Sequence, residues 1–267
     1  MSVCLSSPFG SSFVNFSTFN KVCLAIGQAR EVKLNESATV AAFLINLTFS
    51  SRLMEEHKAL TKKDVYTSSA QLVSNHTISE ITGSQMLSIV NFPIKQIGKM
   101  MSHCLVTGVQ SHIGSYDDKR ATTVFMRPSL AVELGSRVGI LAQDEILEIN
   151  PRNLTWPEFS VLDLRIGTIR GISVVDSDYH GSYKKVQCAV NFGEIGDVFC
   201  MGLFQKSFKV SSLVDKQVLV LTNLNPLEVK DMFELEEGSS VCSAICTVKG
   251  LAYLEPAKPV DNGFRLA

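Results

Sequence analysis

Proton transfer or metal ligation near neutral pH would fall first to the five histidines, His57, His76, His103, His112 and His180. Both tasks need side chains that converge on one atom. These five are scattered singly over expected helix faces and loops, where an imidazole is ordinarily a surface or half-buried group. The paired carboxylates Glu55-Glu56, Asp117-Asp118 and Glu236-Glu237 are adjacent in sequence. Neighbouring side chains on a helix or strand point apart, so such pairs suit a solvated face better than general acid–base work. The seven cysteines are odd in number and lack a C-x-x-C spacing. Cys242 and Cys246 are four apart with no second ligand pair, so no zinc site is expected. No G-x-S-x-G, Walker loop, H-E-x-x-H or G-x-G-x-x-G occurs. The sequence therefore offers no catalytic constellation, no metal site and no cofactor.

A chain of 267 residues with 45% hydrophobic and 19% charged composition is neither mainly disordered nor fibrous. Net charge is -1, which speaks against gripping nucleic acid by bulk electrostatics. The longest apolar run, Ala38 to Phe49, is too short to span a bilayer, so no membrane association is expected. The first thirty residues carry only Lys21 and Arg30 as charges and are rich in Ser and Phe. They lack the amphipathic Arg-rich helix of a transit peptide. With thiols unpaired in spacing, the expected address is the cytoplasm.

Residues 1–150 read as a mainly helical domain. An apolar-periodic run from Asn35 closes near Leu60, and Thr77-Ile78-Ser79-Glu80 has capping-box spacing for a second helix through Ile89. A third helical pattern runs through Ile97 to Leu105, and Pro128 opens a fourth over Ser129 to Leu134. A short strand is expected at Thr122 to Met126. Beyond the linker Asn150-Pro151-Arg152-Asn153 the period switches to two. Strands are expected over 161–175, 186–192, 198–203, 218–221 and 241–248, with a helical turn at 211–214. That is the element list of a small closed β-barrel of OB type, over residues 151–267. No internal repeat is evident. The fold class is thus α+β in two domains.

The barrel region carries the informative strings. Phe159-Ser-Val-Leu-Asp163-Leu-Arg165-Ile-Gly167-Thr-Ile169 resembles the opening strand F-x-x-L-D-[IL]-R-[VI]-G-x-[IV] of the tRNA-binding domain family. That family includes bacterial stand-alone tRNA-binding proteins, methionyl-tRNA synthetase C-terminal extensions and the endothelial monocyte-activating polypeptide II group. Asn191 to Glu194 is similar to its D-V-G-E turn, Val198 to Leu203 to V-V-S-G-L, and Gln217 to Pro226 to V-V-V-L-x-N-L-K-P. Gly238 to Ala244 and Leu254 to Pro256 follow in order, so the resemblance covers 159 to 259. It implies an OB-fold that binds tRNA through Lys184 and Lys185 on its second strand, with Arg165 and Arg170 beside them. Arg165 has an alternative role as a salt bridge to Asp163. Asn223 and Lys230 would line the loop between strands four and five. By analogy with family members, the N-terminal part would be a helical docking module for aminoacyl-tRNA synthetases, glutathione-transferase-C-like in one version, although no transferase signature is present. A homodimer is implied by the bacterial forms. Leu251, Tyr253, Leu254 and Phe264 could supply the pairing edge or cap their own barrel.

The departures limit this reading. Of the family's H-P-x-A-D-K-L stretch only the final Lys184 is recognisable, and two family lysines are replaced by Asn225 and Glu228. Residues 151–267 hold 12 cations against 14 acids. Lys99 to His103 and His112 to Ser115 superficially resemble the two class I synthetase signatures. They stand in reverse order and the second lacks its last His, which makes them chance matches. The expected role is a non-catalytic tRNA-binding auxiliary factor of moderate affinity that presents tRNA to a synthetase. The alternatives are a multi-synthetase-complex scaffold that has lost most tRNA affinity, or an enzyme in residues 1–150 with the barrel as its anchor.

Overall fold

In the computed structural model, which describes residues 7–111, 122–140 and 153–266, strands dominate both halves of the chain. The first half contains β1 (Leu24–Leu34), β2 (Phe43–Thr48), β3 (Tyr66–Ala70) and β4 (Gln85–Ile89). A hairpin of β5 (Lys95–Ile97) and β6 (Met100–Ser102) follows, then β7 (Leu105–Val106), β8 (Gly108–Ser111), β9 (Thr122–Pro128) and β10 (Val138–Gly139). The second half contains β11 (Leu164–Tyr179), β12 (Tyr183–Asn191), β13 (Asp197–Gln205), β14 (Gln217–Leu221), β15 (Ala244–Ile245), β16 (Thr247–Val248) and β17 (Ala252–Pro256). The helices are short: α1 (Phe16–Asn20), α2 (Ser51–Thr61), α3 (Ile78–Ile81), α4 (Trp156–Ser160) and α5 (Pro226–Met232).

The barrel expected in the second half is present. Its strands close in the order β11-β12-β13-β15-β14, with β13 and β15 parallel. The helical first domain is overturned. Phe43, Ile45 and Leu47 are buried while Leu44, Asn46 and Thr48 are half-exposed, so the run from Asn35 to Leu60 hides a period-two strand before its only helix, α2. The Thr77–Glu80 capping box forms, but α3 is a single turn. Thr82 leaves helical geometry and Gly83 takes a φ of +85°, redirecting the chain into β4. The third helical pattern is the β5–β6 hairpin with β7, and 129–134 is irregular. The linker at 150–152, Asp117-Asp118 and His112 to Ser115 lie outside the described residues.

The first half builds the same connectivity as the second. Its sheet runs β3-β2-β1-β4-β7, and the edge strands meet where the Val106 amide donates to Ser68 Oγ at 3.2 Å. Without a gap, residues 15–30 correspond to 155–170. In both copies the first strand pairs antiparallel with the fourth, Leu24 opposite Ile89 and Leu164 opposite Leu221, and Gln28 opposite Gln85 as Thr168 opposite Gln217. Both break register with the second strand at the same step, between Ala29 and Glu31 and between Ile169 and Gly171. Gly27 lies against the Phe49 ring as Gly167 lies against Phe192, leaving no room for a Cβ at either. Asn91 and Asn223 do the same work, each tying the amide that precedes the first strand, of Cys23 or Asp163, to the end of the fourth. Gln85 exchanges two hydrogen bonds with Val132, and Gln217 two with Val260. The chain is thus a tandem of two barrels, an internal repeat that its sequence conceals.

The copies face each other about a pseudo-twofold axis. β9 and β17 pair antiparallel with Glu255 opposite Arg127, and each of these two residues is the other's equivalent, so the axis passes between them. Ala257 N donates to Phe125 O and Ser129 N to Tyr253 O, both at 2.9 Å. Arg127 and Glu255 form an ion pair of 3.0 Å there. Lead-in segments also cross over: Val14 N reaches Asn223 O at 2.8 Å, and Leu154 N reaches Asn91 O at 3.3 Å. The largest core cluster joins Leu24, Ile26 and Leu87 of one barrel to Leu164, Ile166 and Leu219 of the other. Separate cores fill each barrel, around Ile45 and Leu47 in one and Cys188 and Val190 in the other. Burial of this apolar surface, at about 25 cal/mol per Å², is the main force holding the halves together.

Candidate nucleic-acid interface

The six residues expected at the site are dispersed, and three are structural. Asn223 is fully buried. Its Oδ1 accepts from Asp163 N at 2.9 Å, and its Nδ2 donates to Ser12 O at 2.8 Å and Val161 O at 2.9 Å. Arg165 takes the salt-bridge role, with Nε 2.8 Å from Asp163 Oδ1 and Nη1 donating to Gly263 O at 2.8 Å. Its guanidinium also stacks over Phe9 at 4.6 Å. Asp163 is completely buried, so an ionised carboxylate there requires these partners and the Ser11 hydroxyl at 2.6 Å.

Lys184 and Lys185 are consecutive on β12, so they point to opposite faces and cannot share one phosphate. Lys185 is 5% exposed, donates to Phe233 O at 2.9 Å and lies 4.7 Å over the Tyr179 ring. Tyr179 in turn donates to Met232 O at 3.0 Å, so the two side chains fasten the β14–β15 excursion onto the β11–β12 hairpin. Burial and the carboxylates of Glu234 and Asp176 raise the Tyr179 pKa. Lys184 is half-buried and donates to Phe208 O at 3.0 Å. Arg170 is exposed at the register break of β11, 3.4 Å from Asp215. Lys230 on α5 is 3.9 Å from Glu237, on a face crowded with acids.

An open cleft of about 340 Å³ lies elsewhere on this barrel, lined by Ser182, Tyr183, Gln205, Lys206 and Ser207. Its geometry follows from local turns. His180 and Gly181 both take positive φ and reverse the chain between β11 and β12, and Lys206 N then donates to Ser182 O at 3.0 Å. A second tight turn, Lys249-Gly250, has positive φ at both positions and packs on Gln205, whose Nε2 donates to Lys249 O at 3.3 Å. Lys206, Lys209 and Lys249 are exposed here, with Lys184 behind them; Lys206 is paired with Asp178. Sequence reasoning missed these three lysines, which lie in loops outside every motif of the resemblance. A signal was available in the spacing Lys206-x-x-Lys209 between two strands.

No reacting constellation stands beside this cleft. Burial pushes Cys188 and Cys246 up to about 12 and raises Cys200 well above the usual thiol value, so these thiols remain protonated. His57 and His103 fill the core of the first barrel. The His57 ring stacks on Tyr66 at 3.9 Å, and His103 Nδ1 accepts from Thr67 N at 3.1 Å. Among the described residues no group of three His, Cys, Asp or Glu could hold a metal ion, and no helix is long and apolar enough to cross a membrane.

No family model matches the chain. A methionine–tRNA ligase of Methanococcoides burtonii is 29% identical over 110 residues, which are 41% of this chain and 15% of that protein. This chain therefore spans only a small part of the relative's length. Among solved structures, the chaperone CsaA from Bacillus anthracis overlays on 47% of this chain and 98% of its own, at 23% identity and a TM-score of 0.37. The C-terminal domain of Plasmodium vivax p43 covers 69% of this chain and 93% of its own, at 12% identity and a TM-score of 0.41. A MetRS-related protein from Pyrococcus horikoshii covers 47% and 97%, at 12% identity and a TM-score of 0.36. In its opening strand, its later anchors in order and its closed five-strand connectivity, the C-terminal barrel resembles the tRNA-binding domain family, and its sequence is similar to part of a methionine–tRNA ligase.

Proposed function

We propose that the protein is a non-catalytic, cytoplasmic tRNA-binding factor that associates with aminoacyl-tRNA synthetases and presents tRNA to them. The observation that carries this reading is the open cleft between the β11–β12 turn and the 205–209 loop, which Lys206 lines, with the exposed Lys209 and Lys249 on the adjoining 205–209 loop and 249–250 turn. Loops at the mouth of such a barrel are where splayed nucleotides dock, and lysines there neutralise phosphates. Arg170 would extend the strip along β11, and Lys230 would make at most a peripheral contact beside its acids. Lys185, Arg165 and Asn223 support the surface from behind. Holding tRNA beside a bound ligase raises its local concentration without any new chemistry. The association with a ligase, by this reading, falls to the N-terminal half.

Titration of unfractionated tRNA at two salt concentrations tests the reading. Each phosphate contact contributes about 0.7 to 0.9 to the slope of log affinity against log salt. The Lys206→Glu/Lys209→Glu variant should therefore lose a slope of about 2. No binding would refute the tRNA reading, and salt-independent binding would refute its electrostatic basis in these lysines. A scaffold reading is favoured by one feature, the acidic α5 face. If ligase copurifies while tRNA does not bind, that reading stands instead.

A further inference from the structure

The duplication places a second set of barrel-mouth loops on the N-terminal half, and its charge is opposite to that of the first. In the C-terminal copy, the β11–β12 turn and the β14–β15 excursion hold seven carboxylates between Asp176 and Glu237 and a single lysine, the half-buried Lys230. In the N-terminal copy the equivalent elements are the 35–42 loop and the β5–β6 hairpin. They carry Lys95 and Lys99 against Glu36 alone. Both lysines are exposed, and neither has an ion pair among the described residues.

The two elements meet. Gly98, at the hairpin tip with φ of +61°, packs so that a Cβ would stand 3.0 Å from the Ser37 carbonyl oxygen. The hairpin tip that carries Lys99 thus lies against the loop. Apolar side chains are exposed around the lysines: Val40 at 57%, Met101 at 41% and Ile97 at 37%. Exposed methionine and isoleucine beside unpaired ammonium groups offer contact to base or ribose faces together with charge for phosphate.

We propose that the β5–β6 hairpin and the 35–42 loop form a second RNA-binding rim, which takes the phosphodiester backbone of the tRNA held at the C-terminal cleft. This rests on the tRNA-binding reading given above. An anionic polymer is repelled by the acidic β14–β15 excursion of one barrel and accepted by the basic hairpin that replaces it in the other. Two contacts on one body hold the ligand more tightly than either alone, because the second engages at high effective concentration.

The test is tRNA titration of the full chain carrying Lys95→Glu/Lys99→Glu, with Lys95→Gln/Lys99→Gln as a milder variant. Expected are a fall in affinity of about tenfold for the glutamates, a smaller fall for the glutamines and a loss of about 2 in salt slope. Unchanged affinity and slope, with wild-type protein binding tRNA normally, would overturn the rim while leaving the C-terminal cleft standing. Failure of wild-type protein to bind tRNA would overturn both. Loss of a copurifying ligase with tRNA affinity intact would assign the rim to a protein partner and overturn its assignment to RNA.

Discussion

Replacing Asn223 by alanine separates a structural role from a tRNA contact. The side chain is inaccessible to solvent and makes three hydrogen bonds of 2.8 to 2.9 Å to backbone groups of Ser12, Val161 and Asp163. Alanine would leave the Asp163 amide and two carbonyls without that partner. A buried polar group left unpaired costs about 1 to 3 kcal/mol, and part of the loss is recovered by relaxation, so Asn223→Ala should destabilise the fold by about 3 kcal/mol. Asn91 makes two equivalent bonds, to Cys23 N at 3.0 Å and Lys21 O at 2.7 Å, and Asn91→Ala should cost about 2 kcal/mol. Urea unfolding read by the fluorescence of Trp156 measures both, through a lowered midpoint at unchanged slope. tRNA affinity of the folded fraction should be unaltered in both variants. Unchanged stability of Asn223→Ala with abolished tRNA binding would refute the argument, because it would make the amide a ligand contact instead of a strand tie.

Since β9 and β17 already pair within the chain, the protein should elute as a monomer of 29.2 kDa by light scattering, rather than as the homodimer the family resemblance implies; a mass twice as large would refute this. Ser88 is fully buried with an unpaired hydroxyl where the second barrel has Val220, so Ser88→Ala should raise stability by about 1 kcal/mol in the same urea assay. His76 is buried against Phe125, and burial together with Lys258 lowers its pKa to about 4 despite the nearby Glu80 carboxylate. The unfolded chain therefore binds the proton first, and stability should fall as pH drops from about 6.5 towards 4. Thermal melts at pH 7.5 and 5 should show that fall in the wild type and a smaller one in His76→Leu.

How much of this was legible in the sequence differs between the halves. The C-terminal barrel announced itself because Leu162, Leu164 and Ile166 alternate with Asp163 and Arg165, a pattern with one reading. In the first half, Phe43-Leu-Ile-Asn-Leu-Thr48 adjoins a true helix, and Leu44 with Leu47 fits the helical period while Phe43, Ile45 and Leu47 fit the strand's. The side chains that name the repeat, Gly27, Asn91 and Gln85, are widely separated single residues. Their meaning lies in hydrogen bonds across strands, which spacing along one chain does not reveal. The same limit applied to Lys185 and Asn223. Their residue types suit RNA, and only the packing of α5 and of residues 7–14 shows that the backbone claims them first.

The Arg127–Glu255 pair at the axis has a consequence for how the two barrels recognise each other. In a dimer of identical subunits, a residue on the twofold meets its own copy, so a charge there faces a like charge. Joining two copies in one chain removed that constraint and let the position become basic in one and acidic in the other. A self-pair of the first barrel would set arginine against arginine, and a self-pair of the second glutamate against glutamate. Both are disfavoured directly across an antiparallel ladder. The fused halves have thereby become partners for each other and poor partners for themselves.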